Sequence, residues 1–166
     1  MNAFAKVAVQ PLLLGTCTGT IDATEPFNAG LVELSVATYP PPHGEAHVML
    51  ATQRAPSPDY TTKELKISFS KGAEDGIYGL YPTDYTVRVL FIDRSVPAKP
   101  IVYEQSQGVA NVKYNSTTSN FSGEISVTLE NLDEDTRKTV CVKVDFSAYP
   151  HVPTRRIQRR PSSKRC

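Results

Sequence analysis

Residues 121–129, Phe-Ser-Gly-Glu-Ile-Ser-Val-Thr-Leu, and residues 139–146, Thr-Val-Cys-Val-Lys-Val-Asp-Phe, decide the fold. In the first, Ile125, Val127 and Leu129 alternate with Glu124, Ser126 and Thr128. In the second, Val140, Val142, Val144 and Phe146 alternate with Cys141, Lys143 and Asp145. A period of two sends successive side chains to opposite faces of an extended chain, so each stretch is a strand with one apolar and one wet face. Such strands belong to antiparallel sheets, because parallel sheets are covered on both faces. The acidic residues 131–136 between them form a hairpin tip.

The same alternation runs outward from this hairpin. Val32, Leu34 and Val36 oppose Glu33 and Ser35, and Leu65, Ile67 and Phe69 oppose Lys66 and Ser68. Ala46, Val48 and Leu50 alternate with Glu45, His47 and Met49, which places the latter three on the solvent face. In 85–92, Tyr85, Val87, Val89 and Phe91 fill one face, while Leu90 and Ile92 make the other partly apolar, the mark of a central or covered strand. Residues 7–10, 12–21, 101–105 and 109–114 add further strands, spaced about ten to fifteen residues apart. No long window has a 3.6-residue period. The prediction is an all-β fold, an antiparallel β-sandwich of Ig-like or jelly-roll-like type with 8–10 strands.

The breaks between strands have mechanisms. Tyr39-Pro40-Pro41-Pro42-His43-Gly44 cannot continue a ladder, since proline lacks an N–H, and it is expected as a polyproline-like loop. Residues 55–59 are a second proline break, 71–76 a polar connection with glycine at positions 72 and 76, and 115–120 a hairpin tip. The Asn115-Ser116-Thr117 and Asn120-Phe121-Ser122 triplets, which match glycosylation sequons, read as part of that turn.

A length of 166 residues suits one domain, and thirteen prolines, eight tyrosines and no tryptophan point away from helix bundles. No stretch approaches the ~20 apolar residues of a transmembrane helix. The net charge of +1 conceals a separation. Residues 151–166 hold Arg155, Arg156, Arg159, Arg160, Lys164 and Arg165 and no acid. Removing these six from the 18 basic residues leaves 12 against all 17 acidic ones, a balance of −5 for 1–150. The expected organisation is therefore a β-sandwich domain over 1–150 and a basic flexible tail over 151–166, whose like charges and scarce apolar residues oppose folding alone. Such a tail attracts polyanions by releasing counterions, largely without regard to sequence. Arg159-Arg160-Pro161-Ser162 also has the shape read by basic-directed kinases, although so short a match arises readily by chance.

Other chemistry is thinner. His43, Glu45 and His47 alternate along an extended segment and are the best metal candidate, but a site needs three or four convergent groups. Tyr78 and Tyr81 offer a partner surface, with Tyr85 assigned to the core. The acidic 133–135 lacks the spacing of a calcium loop. Cys17, Cys141 and Cys166 are too few and too widely spaced for a disulfide scaffold or zinc, leaving a Cys17–Cys141 bridge as an option if their strands are neighbours. There is no Gly-x-Ser-x-Gly elbow and no phosphate-binding glycine loop. Gln10 and Pro11 interrupt the apolar start, which reads as a strand rather than a signal peptide, so the expected location is intracellular: cytoplasmic, or nuclear in a eukaryote, with secretion left open.

These readings predict a non-enzymatic binding protein, without cofactor, whose cationic tail engages an acidic partner. The alternative is a self-assembling structural subunit, virion-type or nucleoprotein, that binds nucleic acid through the tail. A small metal-dependent hydrolase built on His43, Glu45 and His47 ranks third.

Overall fold

The computed structural model describes residues 14–133 and 138–151, and these are all-β with no helix among them. Ten strands occur in order: β1 Thr16–Ile21, β2 Glu25–Asn28, β3 Leu31–Thr38, β4 Glu45–Arg54, β5 Thr62–Ser70, β6 Gly76–Gly79, β7 Val87–Arg94, β8 Ile101–Asn115, β9 Asn120–Asn131 and β10 Lys138–Ala148. The expected strand over 7–10 and nearly all of the basic segment, from residue 152 on, lie outside the described residues.

All pairings between these strands are antiparallel, and the hydrogen-bonded path is continuous: β2-β1-β10-β9-β8-β7-β5-β4-β3, with β6 beside β8. The layers expected as a sandwich are therefore one sheet, curled into a half-barrel around a single core. Alternation reports which side chains face inward. It carries no information on whether the opposing layer is a second sheet or the far part of the same one. Curling brings distant strands together: Phe69 on β5 stacks on Phe121 of β9 at 5.8 Å, and Phe121 meets Phe146 of β10 edge-on at 5.0 Å. Phe69 and Phe121 are fully buried, and truncating a phenylalanine in such a place costs about 3–5 kcal/mol.

Sharp bending requires glycine where backbones crowd. A Cβ on Gly19 would stand 1.9 Å from the Lys143 carbonyl oxygen, and one on Gly123 would stand 2.1 Å from that of Asn111. A bulge does the rest. The β8–β9 register slips between Gln105 and Gln107, and the inward set changes from Tyr103 and Gln105 to Ala110 and Val112. That change of phase explains why 101–105 and 109–114 read as separate strands in the sequence; they are two halves of one fifteen-residue strand.

The two sheet ends approach one another at one corner. Ala29 N–H donates to the Cys17 carbonyl and Gly30 N–H to that of Thr52, both at 3.0 Å. Lys63 on β5 forms an ion pair with Glu25 on β2. The chain leaves β10 through a parallel bridge between Pro150 and Leu34.

Three further expectations are corrected. His47 and Met49 face the interior, while Ala46 and Val48 occupy the outer face and are nonetheless buried. Tyr85 precedes β7 and is 43% exposed, so it is not core. Cys17 and Cys141 do lie on paired strands, but Cys17 is opposite Phe146, five residues from Cys141, and the first is buried while the second is exposed. Both are free thiols.

Candidate functional site

The proline loop builds the most distinctive local arrangement. It is not an extended polyproline segment but a tight connection from β3 to β4: Tyr39 N–H donates to the Gly44 carbonyl at 2.9 Å, and Gly44 adopts φ +67°, open to glycine at little cost. The loop folds over the outer face of β4 and β5, and His43 pins it there. His43 Nδ1 lies 2.8 Å from Ser70 Oγ, and Nε2 lies 2.9 Å from Ser68 Oγ. The Ser70 hydroxyl donates its single proton to the His43 carbonyl at 2.8 Å, so it accepts from Nδ1–H. Nε2 of the neutral ring is then the acceptor, and Ser68 O–H donates to it. Burial holds this imidazole below its ordinary pKa, and the Arg88 charge lowers it further against a backbone contact from Tyr85 that raises it.

Beneath the loop is a pocket of about 290 Å³. Tyr39, Pro40 and Pro41 form one wall, Tyr85 stands in the lining with Arg88, and Lys66, Ser68, Leu90 and Glu104 complete it. Lys66 Nζ lies 5.4 Å from the Tyr39 ring centroid, and the Arg88 guanidinium lies 5.3 Å from that of Tyr85. Cations so placed are attracted to the negative faces of the rings. Arg88 Nη1 also donates to the carbonyls of Pro82 and Asp84, at 2.9 and 3.1 Å, which fixes its position.

A wider opening of about 480 Å³ crosses the solvent face of β1, β10, β9, β8 and β6. Its charged groups are Glu124 and Asp145, directly opposite one another on β9 and β10, and Lys143 two residues along β10, and its exposed apolar groups are Ile77 and Val109. It has no buried polar group comparable to His43 or Ser68, so the smaller pocket is the more built of the two.

The remaining candidates from the sequence are dispersed. Glu45 forms an ion pair with Lys71 at 2.7 Å, which holds its carboxyl below the usual range. His47 is buried and stacks on Tyr114 with ring centroids 3.6 Å apart; burial, and then Lys71, hold its pKa below the ordinary value. His43, Glu45 and His47 thus have separate partners, and among the described residues no group of three or more His, Cys, Asp or Glu could share a metal ion. Tyr78 turns toward the core, packing on Phe69 at 5.8 Å and donating its hydroxyl to the Glu74 carbonyl. Tyr81 is 51% exposed. Arg155, Arg156, Arg159, Arg160, Lys164 and Arg165 lie outside the described residues. Ser68, Lys66 and Arg88 were invisible as site residues in the sequence, because they read only as the wet positions of alternating strands.

Comparison with protein-family models, with curated proteins and with solved structures finds no match to this chain. Among the described residues no helix is long and apolar enough to cross a membrane.

Proposed function

We propose that this chain is a non-enzymatic binding protein: a curled β-domain that contacts its partner through loop and edge surfaces, with the cationic residues of 151–166 engaging an acidic partner. The observation that carries it is the separation of charge, six cations without an acid against a body of −5. Two segments of opposite character on one chain attract different partners. The exposed position of Pro150 and His151 supports it, since the cationic segment begins at the surface. A binding rather than catalytic role is favoured by the histidines: both rings of the candidate set are engaged, His43 at each nitrogen and His47 against Tyr114. Tyr81 remains a candidate contact for a partner.

Fluorescence anisotropy tests this reading with an acidic peptide and a single-stranded oligonucleotide, using the full chain and a chain ending at residue 150. Binding of the peptide that falls with salt and disappears on truncation is the expected result. If the oligonucleotide binds instead, with a log K against log salt slope near −4 for six phosphate contacts, the chain is a nucleic-acid-binding structural subunit. Light scattering then reports whether it self-assembles. No binding of either probe at low salt would remove the charge-based reading.

A further inference from the structure

Two half-buried cations, neither in an ion pair among the described residues, line the pocket under the proline loop. In the β5–β7 register Lys66 pairs with Leu90 and Ser68 with Arg88, so Lys66 and Arg88 are diagonal neighbours on the outer face. Diagonal positions lie roughly 7–8 Å apart, close enough for both side chains to reach one small anion. Neither takes part in an ion pair among the described residues, while Lys63, Lys71 and Arg94 all do. Partial withdrawal of an uncompensated charge from water is unfavourable, and two like charges side by side add repulsion. A bound anion relieves both. Leu90, directly opposite Lys66 and two residues from Arg88, supplies an apolar floor, and Tyr39 and Tyr85 line the same pocket. A volume of about 290 Å³ is at the lower end for small-molecule sites, which limits the occupant to about the size of a single substituted ring.

We propose that this pocket binds a small aromatic oxyanion, a carboxylate or phosphate carried on one ring. Lys66 Nζ and the guanidinium nitrogens of Arg88 not engaged with Pro82 and Asp84 hold the anionic group. The ring rests on Leu90 between Tyr39 and Tyr85. Glu104, in register with Leu90 on its other side, sets the direction, because it repels the anionic end toward Lys66 and Arg88. Ser68, its proton directed to His43 Nε2, presents an acceptor to the pocket and disfavours an anion placed against it. This site is separate from the cationic segment, and its success or failure leaves the proposal about residues 151–166 untouched.

Amide chemical shifts of the full chain, titrated with phenyl phosphate and with benzoate, provide the test; phenol and inorganic phosphate are the controls. Expected are saturable shifts at Lys66, Arg88 and Leu90 for at least one aromatic anion, with both controls binding roughly tenfold or more weakly. The tighter of phenyl phosphate and benzoate identifies the anionic group. Lys66→Gln should weaken binding roughly tenfold, the loss of one charged hydrogen bond. Glu104→Gln, at an exposed position, should strengthen it about twofold by removing a repulsion across two strand spacings. A merely structural role for Glu104 would not produce that gain. Inorganic phosphate binding as well as phenyl phosphate, shifts confined to residues 155–165, or a folded Lys66→Gln chain with unchanged affinity would each overturn the proposal.

Discussion

Gln105→Leu is a severe test of how this sheet is held together. β6 and β7 both lie on the same side of β8, and where β7 departs from β8 its backbone loses a strand partner. The Gln105 amide fills that gap. Its Oε1 accepts from Val89 N–H at 2.7 Å, and its Nε2 donates to the carbonyls of Tyr81, Asp84 and Val87 at 2.8, 3.2 and 3.3 Å. Gln105 is 2% exposed and Val89 is fully buried, so water has no route to replace these bonds. Leucine has nearly the same volume and leaves no large cavity, which isolates the polar loss. Stranding the Val89 N–H costs about 1–3 kcal/mol, and the weaker losses at the buried Val87 carbonyl bring the sum to about 3 kcal/mol. For a chain of this length that is a fall in Tm of roughly 6–12 °C. Urea unfolding followed by far-UV circular dichroism measures it, with an unchanged m-value required for the comparison. A loss below about 1 kcal/mol would refute the argument, because it would mean that Val89 finds another partner or is not isolated from solvent.

Other outcomes follow from the same structure. Burial holds His43 and His47 below the ordinary histidine value of 6.5, so the unfolded chain takes up protons first; stability should be complete above pH 6.5 and fall as the pH drops below it. Urea midpoints between pH 7.5 and 5 measure the slope, and His47→Phe, which can still stack on Tyr114, should flatten it. The Cys17 thiol is pushed up to about 12 by burial and by Asp145, whereas Cys141 is exposed. Iodoacetamide on the native protein should therefore modify Cys141 and leave Cys17 intact until denaturant is added, as peptide mass spectrometry will report. Gly123→Ala places a methyl group 2.1 Å from the Asn111 carbonyl oxygen and should cost roughly 2–4 kcal/mol in the same unfolding assay, while alanine at Gly30, with nothing within 4 Å of its Cβ, should not.

Strand identity was legible where a run was long enough to show its period, because that signal is local; the four-residue β2 and β6 were not read as strands. The alternation of 124–129 and 140–146 appears unchanged as β9 and β10, paired from Lys138 with Asn131 through Ala148 with Phe121. Face assignment was less secure wherever both faces are covered. In β4, Ala46 and Val48 are buried on the outer face, beside the Ser70 and Ser68 to which His43 of the proline loop bonds, so apolar residues alone could not tell inside from outside. Ser68 and Lys66 looked like solvated positions for the same reason: nothing within β5 announces that a loop twenty-odd residues earlier folds back over it. Gln105 gave no signal at all, since a buried glutamine and an exposed one are the same letter.

Composition and periodicity by themselves determined that the chain is built of antiparallel strands, roughly where most of those strands lie, and that the cations gather at one terminus. These depend only on neighbours along the chain and on which side chains avoid water. The tertiary structure decided that the strands make one curled sheet, that His43 locks the proline loop onto β5, and that Lys66 and Arg88 line one pocket with no ion pair among the described residues. Those facts arise from register and curvature, which bring residues far apart in sequence within a few ångströms, and no local pattern records such distances.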